Sequence, residues 1–150
     1  MADVTIRAAG PNDVDHLVRA YEWLFAPPGS RPARWDPVAA AERLRSTISS
    51  ADAEAIIGDQ DGTVVGLCTV YLDIDSVRFG RRAWVEDLAV HPDRRSLGIG
   101  RRLLDAARAW GRERGATHLE LDSGEARVDA HRFYEREGPS SRTVCFGWEL

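Results

Sequence analysis

Trp84 to Arg114 reads WVEDLAVHPDRRSLGIGRRLLDAARAWGRER, and this stretch decides the fold. An apolar strand runs into a basic turn punctuated by Gly98 and Gly100, and the turn opens a long helix. Ile99, Leu103, Ala106, Ala107 and Trp110 fall on one helical face, and Gly115 stands where such a helix stops. The first N–H groups of a helix have no partner within it, and the positive end of the helix dipole lies behind them. A turn of this kind therefore suits an anion such as a diphosphate. Gly98 and Gly100 carry no Cβ to hold a phosphate off the backbone. Arg94 and Arg95 precede the turn, and Arg101 and Arg102 follow it.

Outward from this segment, strands and helices mix. Val4 to Ala8 alternates as a strand, and Pro11-Asn12-Asp13 starts a helix with Val14, Leu17, Val18, Tyr21 and Leu24 at helical spacing. Phe25 to Pro37 is a Pro- and Arg-rich surface loop. Asp36 is placed to cap a second helix with Pro37 at its first position, turning Leu44 and Ile48 inward. Glu54 to Asp59 and Thr63 to Ile74 read as strands joined by a hairpin turn at Gln60-Asp61-Gly62. Arg78 to Arg82 is a polar turn before the strand Ala83 to Val90. A strand at Thr117 to Leu121, a helix at Glu125 to Glu137 and a last strand at Thr143 to Leu150 complete the expectation. Pattern alone gives an α+β or α/β fold without repeats or linkers, sized as one domain over residues 1–150.

The formal charge of −4 gives a nucleic-acid partner no electrostatic support. All 20 Lys+Arg residues are arginine, so the chain has no side-chain amine of its own to acylate. Cys68 and Cys145 lie in apolar, strand-like runs and are expected as buried free thiols. His16, His118 and His131 have no metal-ligand spacing, and His91 closes its strand as a polar end residue before Pro92. The N-terminus has no apolar signal core, and no apolar run approaches the ~20 residues of a membrane span. A reduced, cytoplasmic protein without a membrane partner is expected.

Arg95, Gly98 and Gly100, spaced R-x-x-G-x-G behind a strand ending in Val-His-Pro, resemble the acyl-CoA signature of the GNAT superfamily of N-acetyltransferases. The strand VEDLAV and the later helix AHRFYEREG (Ala130 to Gly138) resemble that family in the same order, over roughly the second half of the chain. The resemblance implies the GNAT fold, an α+β (α/β-like) arrangement of a mixed, mostly antiparallel sheet with helices on both faces. It implies acetyl-CoA as cofactor and direct transfer to a primary amine in a ternary complex. Glu86 inherits the role of general base, against a structural carboxylate paired with arginine, while Asp87 is read as structural. Tyr134 inherits the role of general acid, with Phe133 as packing. The pantetheine edge maps to the backbone of Leu88, Ala89 and Val90. The diphosphate site maps to Arg94, Arg95, Ser96, Leu97, Gly98, Ile99, Gly100 and Arg101.

Side chains alternate along a strand, so Glu86 and Asp87 point to opposite faces unless a bulge intervenes. Ser96 departs from the family by standing where glycine is frequent, and Arg127 stands in place of a cofactor-contacting asparagine, where it could reach a phosphate or the substrate. Gly138-Pro139 replaces Gly-Phe, and one strand follows the last helix instead of two, an edge that a partner subunit could cover. The acceptor is expected to meet Glu22, Trp23, Phe25, Trp35 and Asp73, an aromatic and acidic set suited to a cationic small-molecule amine. A protein N-terminus or lysine as acceptor and a non-catalytic acyl-CoA sensor are the competing readings. A dinucleotide-binding domain is disfavoured by the middle hairpin.

Overall fold

The computed structural model describes residues 2–150. Strand β1 (Thr5–Ala8) leads through a 3-10 turn (Pro11–Asp13) into α1 (Val14–Ala20), α2 (Glu22–Phe25) and α3 (Pro37–Ser49). The strands β2 (Ala53–Gln60), β3 (Thr63–Ser76) and β4 (Gly80–Val90) follow, then α4 (Ile99–Glu113), β5 (His118–Glu120) and α5 (Val128–Arg136). The sheet has the order β1-β2-β3-β4-β5; its first three pairings are antiparallel and β4–β5 is parallel. The mixed, mostly antiparallel sheet expected from the sequence is formed.

Local chemistry explains the boundaries. Asp36 accepts a hydrogen bond from the Val38 N–H at 3.0 Å, and Pro37 occupies the first turn of α3. Asp61 and Gly62 both have positive φ, the geometry of a two-residue hairpin turn matched to strand twist. The first predicted helix is broken at Tyr21, where α1 gives way to the single turn of α2.

Each face of the sheet buries its own core. Ile56, Cys68, Val70, Ala83 and Val85 pack under Ile99, Leu103, Ala107 and Trp110 of α4. On the other face Ala55, Ile57, Leu67 and Ala89 pack under Val14, Leu17 and Ala20 of α1 and Leu44 of α3. Gly66 lets α4 sit close, because a Cβ there would lie 2.9 Å from Leu103 Cδ1 and 3.0 Å from Ile99 Cγ2.

Two expectations fail at the C-terminus. Thr143 to Leu150 forms no strand, and Cys145 is exposed rather than buried, whereas Cys68 is buried as expected. Apolar alternation makes a strand only when an edge is there to pair with it, and these residues pair with none. Among the described residues no helix is long and apolar enough to cross a membrane.

Candidate active site

Strands β4 and β5 touch only briefly. Arg82, Ala83 and Trp84 pair with His118, Leu119 and Glu120, after which the strands part and β4 runs on to Val90 paired with β3 alone. A bulge marks the parting: Thr69 of β3 faces Asp87 while Val70 faces Val85, so Glu86 is the extra residue on β4. Beyond it, Gly66 lies opposite Val90 and the His91 N–H bonds to the Val65 carbonyl at 2.9 Å. In an antiparallel ladder this makes Val90, and by alternation Leu88, turn N–H and C=O away from β3 into the gap. Ala89 is the exception among the three expected edge residues. Its backbone groups face β3 and its side chain is buried.

The turn after β4 is a row of open donors. No backbone N–H from Arg95 through Arg101 has an acceptor among the described residues, and the first bond of α4 runs from Arg102 N–H to the Gly98 carbonyl at 3.1 Å. Gly98 caps the helix with φ +82°, and Ser96 adopts φ +63°, left-handed backbone that glycine would take without strain. His91 accepts from the Asp93 N–H at 3.1 Å through Nδ1, so it shapes the turn instead of facing a reactant. Arg94 is drawn off to Gln60 Oε1 at 2.9 Å, while Arg95 Nε reaches the Val90 carbonyl at 3.4 Å. Arg101 lies 3.6 Å from Glu137. Leu97 is exposed at the turn, and Gly100 leaves room for Phe133 Cζ, 3.5 Å from where a Cβ would be.

The bulge also settles where the two acids point. Ala83 and Val85 face α4, but Glu86 accepts from Trp84 Nε1 at 2.6 Å on the opposite face. Asp87 lies on that same face, accepting from the Tyr21 hydroxyl at 2.7 Å and the Thr69 hydroxyl at 2.6 Å. Without the extra residue Asp87 would follow Val85 toward α4. Burial first, then the Asp87 carboxylate, push the Tyr21 phenol far up and keep it a donor. Asp87 is thus held by two hydroxyl donors within the fold, and Glu86 is the exposed acid of the pair.

Over this face stands an aromatic cluster. Tyr21 lies 5.5 Å from Trp35 and 6.4 Å from Phe25, and Phe25 meets Trp35 edge-on at 4.8 Å. Trp23 points elsewhere, edge-on to His91 at 5.2 Å, beside the end of β4. Glu22 and Asp73, both expected at the acceptor, are already neutralised. Glu22 pairs with Arg31; Asp73 takes two bonds from Arg82, at 3.0 and 2.6 Å, which hold its carboxyl below the usual range. Tyr21, Thr69 and Trp84 hold the two acids in place, and sequence reasoning missed them. Tyr21 has helical spacing and reads as core; only its hydroxyl, useless in an apolar core, hinted at a partner.

Tyr134 comes from α5. Burial, with the nearby Cys68 thiol adding to it and Arg127 opposing, pushes its phenol up to about 12. Phe133 packs edge-on against it at 5.2 Å. Arg127 does not turn toward the donor row. Its Nη2 donates to the Leu24 carbonyl at 2.9 Å and fills the space beside Gly29, where a Cβ would lie 2.6 Å away. The guanidinium thus ties the loop after α2 to the segment entering α5.

The model of the acetyltransferase (GNAT) family matches residues 17–138. The chain is 44% identical over 59 residues to the uncharacterized N-acetyltransferase YhdJ of Bacillus subtilis (strain 168), a match covering 39% of this chain and 42% of that protein. It is 32% identical to the aminoglycoside N(6')-acetyltransferase type 1 of Stenotrophomonas maltophilia, over 97% of this chain and 94% of the other. Among solved structures, aminoglycoside N-acetyltransferase AAC(6')-Iy in complex with CoA superposes with a TM-score of 0.84, covering 99% of this chain and 96% of that one. At 18% identity that likeness is one of fold.

Proposed function

The chain belongs to the acetyltransferase (GNAT) family, and from that premise we propose that it transfers an acetyl group from acetyl-CoA to a small-molecule amine in one ternary complex. The observation that carries this reading is the parting of β4 from β5 directly upstream of seven unpaired amides. An unpaired strand edge that leads into an anion cradle fits a ligand with an amide-bearing arm and a diphosphate. Acetyl-CoA is such a ligand, and it supplies the acetyl thioester.

The residues divide the remaining work. The amides from Arg95 to Arg101 hold the diphosphate, with Arg95 adding a cation. Leu88 offers its N–H and C=O and Val90 its N–H to the arm, and one of these N–H groups faces the thioester carbonyl as charge develops there. An alkylamine with pKa about 10 arrives protonated, so Glu86 accepts a proton, directly or through water, before nitrogen attacks. The C–N bond forms as the C–S bond breaks; the Tyr134 hydroxyl gives its proton to the departing sulfur, and the second proton shed by the nitrogen restores the tyrosine hydroxyl through solvent. A phenol pushed up to about 12 stays protonated at neutral pH, so the hydroxyl is present as a donor when the thiolate forms.

Tyr21, Phe25 and Trp35 beside Glu86 suit the organic part of a cationic amine. The full-length match to a relative named for an aminoglycoside supports a small-molecule acceptor. We place the enzyme in the cytoplasm, where acetyl-CoA and a buried free Cys68 are both at home. Calorimetry tests the cofactor: saturable heat with acetyl-CoA and none with NAD is expected, and the reverse overturns the reading. Free-thiol release across a panel of aminoglycosides, polyamines, amino acids and a lysine peptide tests the acceptor. Turnover confined to the peptide would move the assignment to protein acetylation.

A further inference from the structure

Glu86, the proposed base, is an exposed side chain on a bulge. As the extra residue of β4 it has no direct partner on β3, and its long side chain turns freely unless something holds it. A base must lie within hydrogen-bond reach of the proton it takes, so its aim matters. Among the described residues one donor fixes it, the Trp84 Nε1–H, 2.6 Å from Glu86 Oε2. No arginine among the described residues pairs with Glu86, although the chain has 20.

The cation that shares this face of β4 is engaged elsewhere. Arg82, two residues before Trp84, is held by Asp73 of β3 at 3.0 and 2.6 Å and by Glu120 of β5 at 3.4 Å. Its guanidinium carbon lies 4.6 Å from the centre of the Trp84 ring. The indole is thus pinned by a cation on its face, and the cation by a carboxylate from each flanking strand. So held, the indole has little freedom to swing its N–H away from Glu86.

A neutral donor suits a base where an arginine would not. A guanidinium on the carboxylate would stabilise its negative charge and oppose the incoming proton. An indole N–H only donates, carries no charge and occupies one oxygen, which leaves Oε1 free to accept. Resting on the reading of Glu86 as base, we propose that Trp84 is its positioning residue, with Arg82 locking the indole that aims it.

The contact is tested without an acceptor, by proton–nitrogen NMR of the indole groups. The Trp84 resonance, identified by its loss in Trp84→Phe, should move upfield in Glu86→Gln, because an amide oxygen accepts more weakly than a carboxylate. A resonance that does not move overturns the proposal. The role is tested by free-thiol release with the panel amine that turns over fastest. Trp84→Phe keeps a ring beneath Arg82 and removes the N–H. It should lower kcat about tenfold, a smaller loss than removing the base, with the amine KM and the acetyl-CoA Kd within about twofold. In the Glu86→Gln background the same change should cost less than about twofold, since nothing is left to aim.

Replacing the Trp84 indole by benzothiophene, which keeps the ring's size and exchanges the N–H for sulfur, reads the same loss should Trp84→Phe unfold. Wild-type kcat in the folded variant overturns the proposal. An equal loss with and without Glu86 does so too, because it marks a role in the fold alone. A Glu86→Gln enzyme as fast as wild type removes the base assignment, and this inference with it. A slow Glu86→Gln beside a fast Trp84→Phe overturns this inference alone.

Discussion

The donor row after β4 and the acceptor face around Glu86 are neighbours built on different plans. The donor row is made of backbone from consecutive residues, Arg95 to Arg101, and needs little beyond two glycines and a helix start. The acceptor face is made of side chains from α1, α2, the Trp35 loop, β3 and β4, more than 60 residues apart in places. A backbone site tolerates changes of side chain and loses function when φ is disturbed. A side-chain site behaves the other way. The two halves should therefore fail differently.

The largest effect is expected at Glu86. Glu86→Gln should lower kcat by about 10³, within the range of a lost general base, while the acetyl-CoA Kd by calorimetry stays within about twofold. A loss of acetyl-CoA binding instead would erase the separation between the halves. Tyr134→Phe should lower kcat by about 10² with binding kept, because the ring and its packing on Phe133 survive. Turnover as fast as wild type would remove Tyr134 as the acid.

Arg127 sharpens the comparison further. It sits in the sequence beside the cofactor half, yet its guanidinium holds the Leu24 carbonyl on the acceptor half. Arg127→Gln should raise the amine KM about fivefold, roughly the 1 kcal/mol of one hydrogen bond, and leave the acetyl-CoA Kd alone. The opposite pattern would return Arg127 to the cofactor.

The smallest effect lies outside both halves. Arg7 donates to Asp13 at 2.9 and 3.0 Å and to Asp59 at 3.0 Å, tying β1 to the turn before α1 and to β2. The Arg7 bond, against the cost of burial, holds the Asp13 carboxyl below its ordinary range. A carboxyl depressed by folding stabilises the native state above the unfolded pKa of about 3.9, and the gain is lost as pH falls through the lower folded value. Asp13→Asn should thus cost about 1 kcal/mol in urea unfolding at pH 7, with the gap to wild type closing below pH about 4. Turnover per folded enzyme at pH 7 should not change.

The same contrast governs what could be read from the chain. The turn at Arg95–Gly100 was legible because a row of open backbone donors at a helix start is local: the residues that make it are adjacent. Tyr21, Trp84 and Thr69 were not, since each looks like ordinary core or strand until its partner is known. Glu22 and Asp73 were chosen for their charge, and only tertiary contacts show Arg31 and Arg82 already cancelling it. At Thr143 to Leu150 the pattern for a strand is present, but a strand also needs a partner, and this segment hydrogen-bonds to neither edge of the sheet.

By itself the sequence determined the element order as far as α5, apart from the break in the first helix, and with it the two apolar faces that build the cores, the donor row and the identity of its glycines. These follow from periodicity and from backbone geometry within a few residues. Only the tertiary structure decided that Glu86 and Asp87 share a face. That outcome depends on one extra residue of β4 against β3, and strand register is a property of the pair, fixed by neither strand alone.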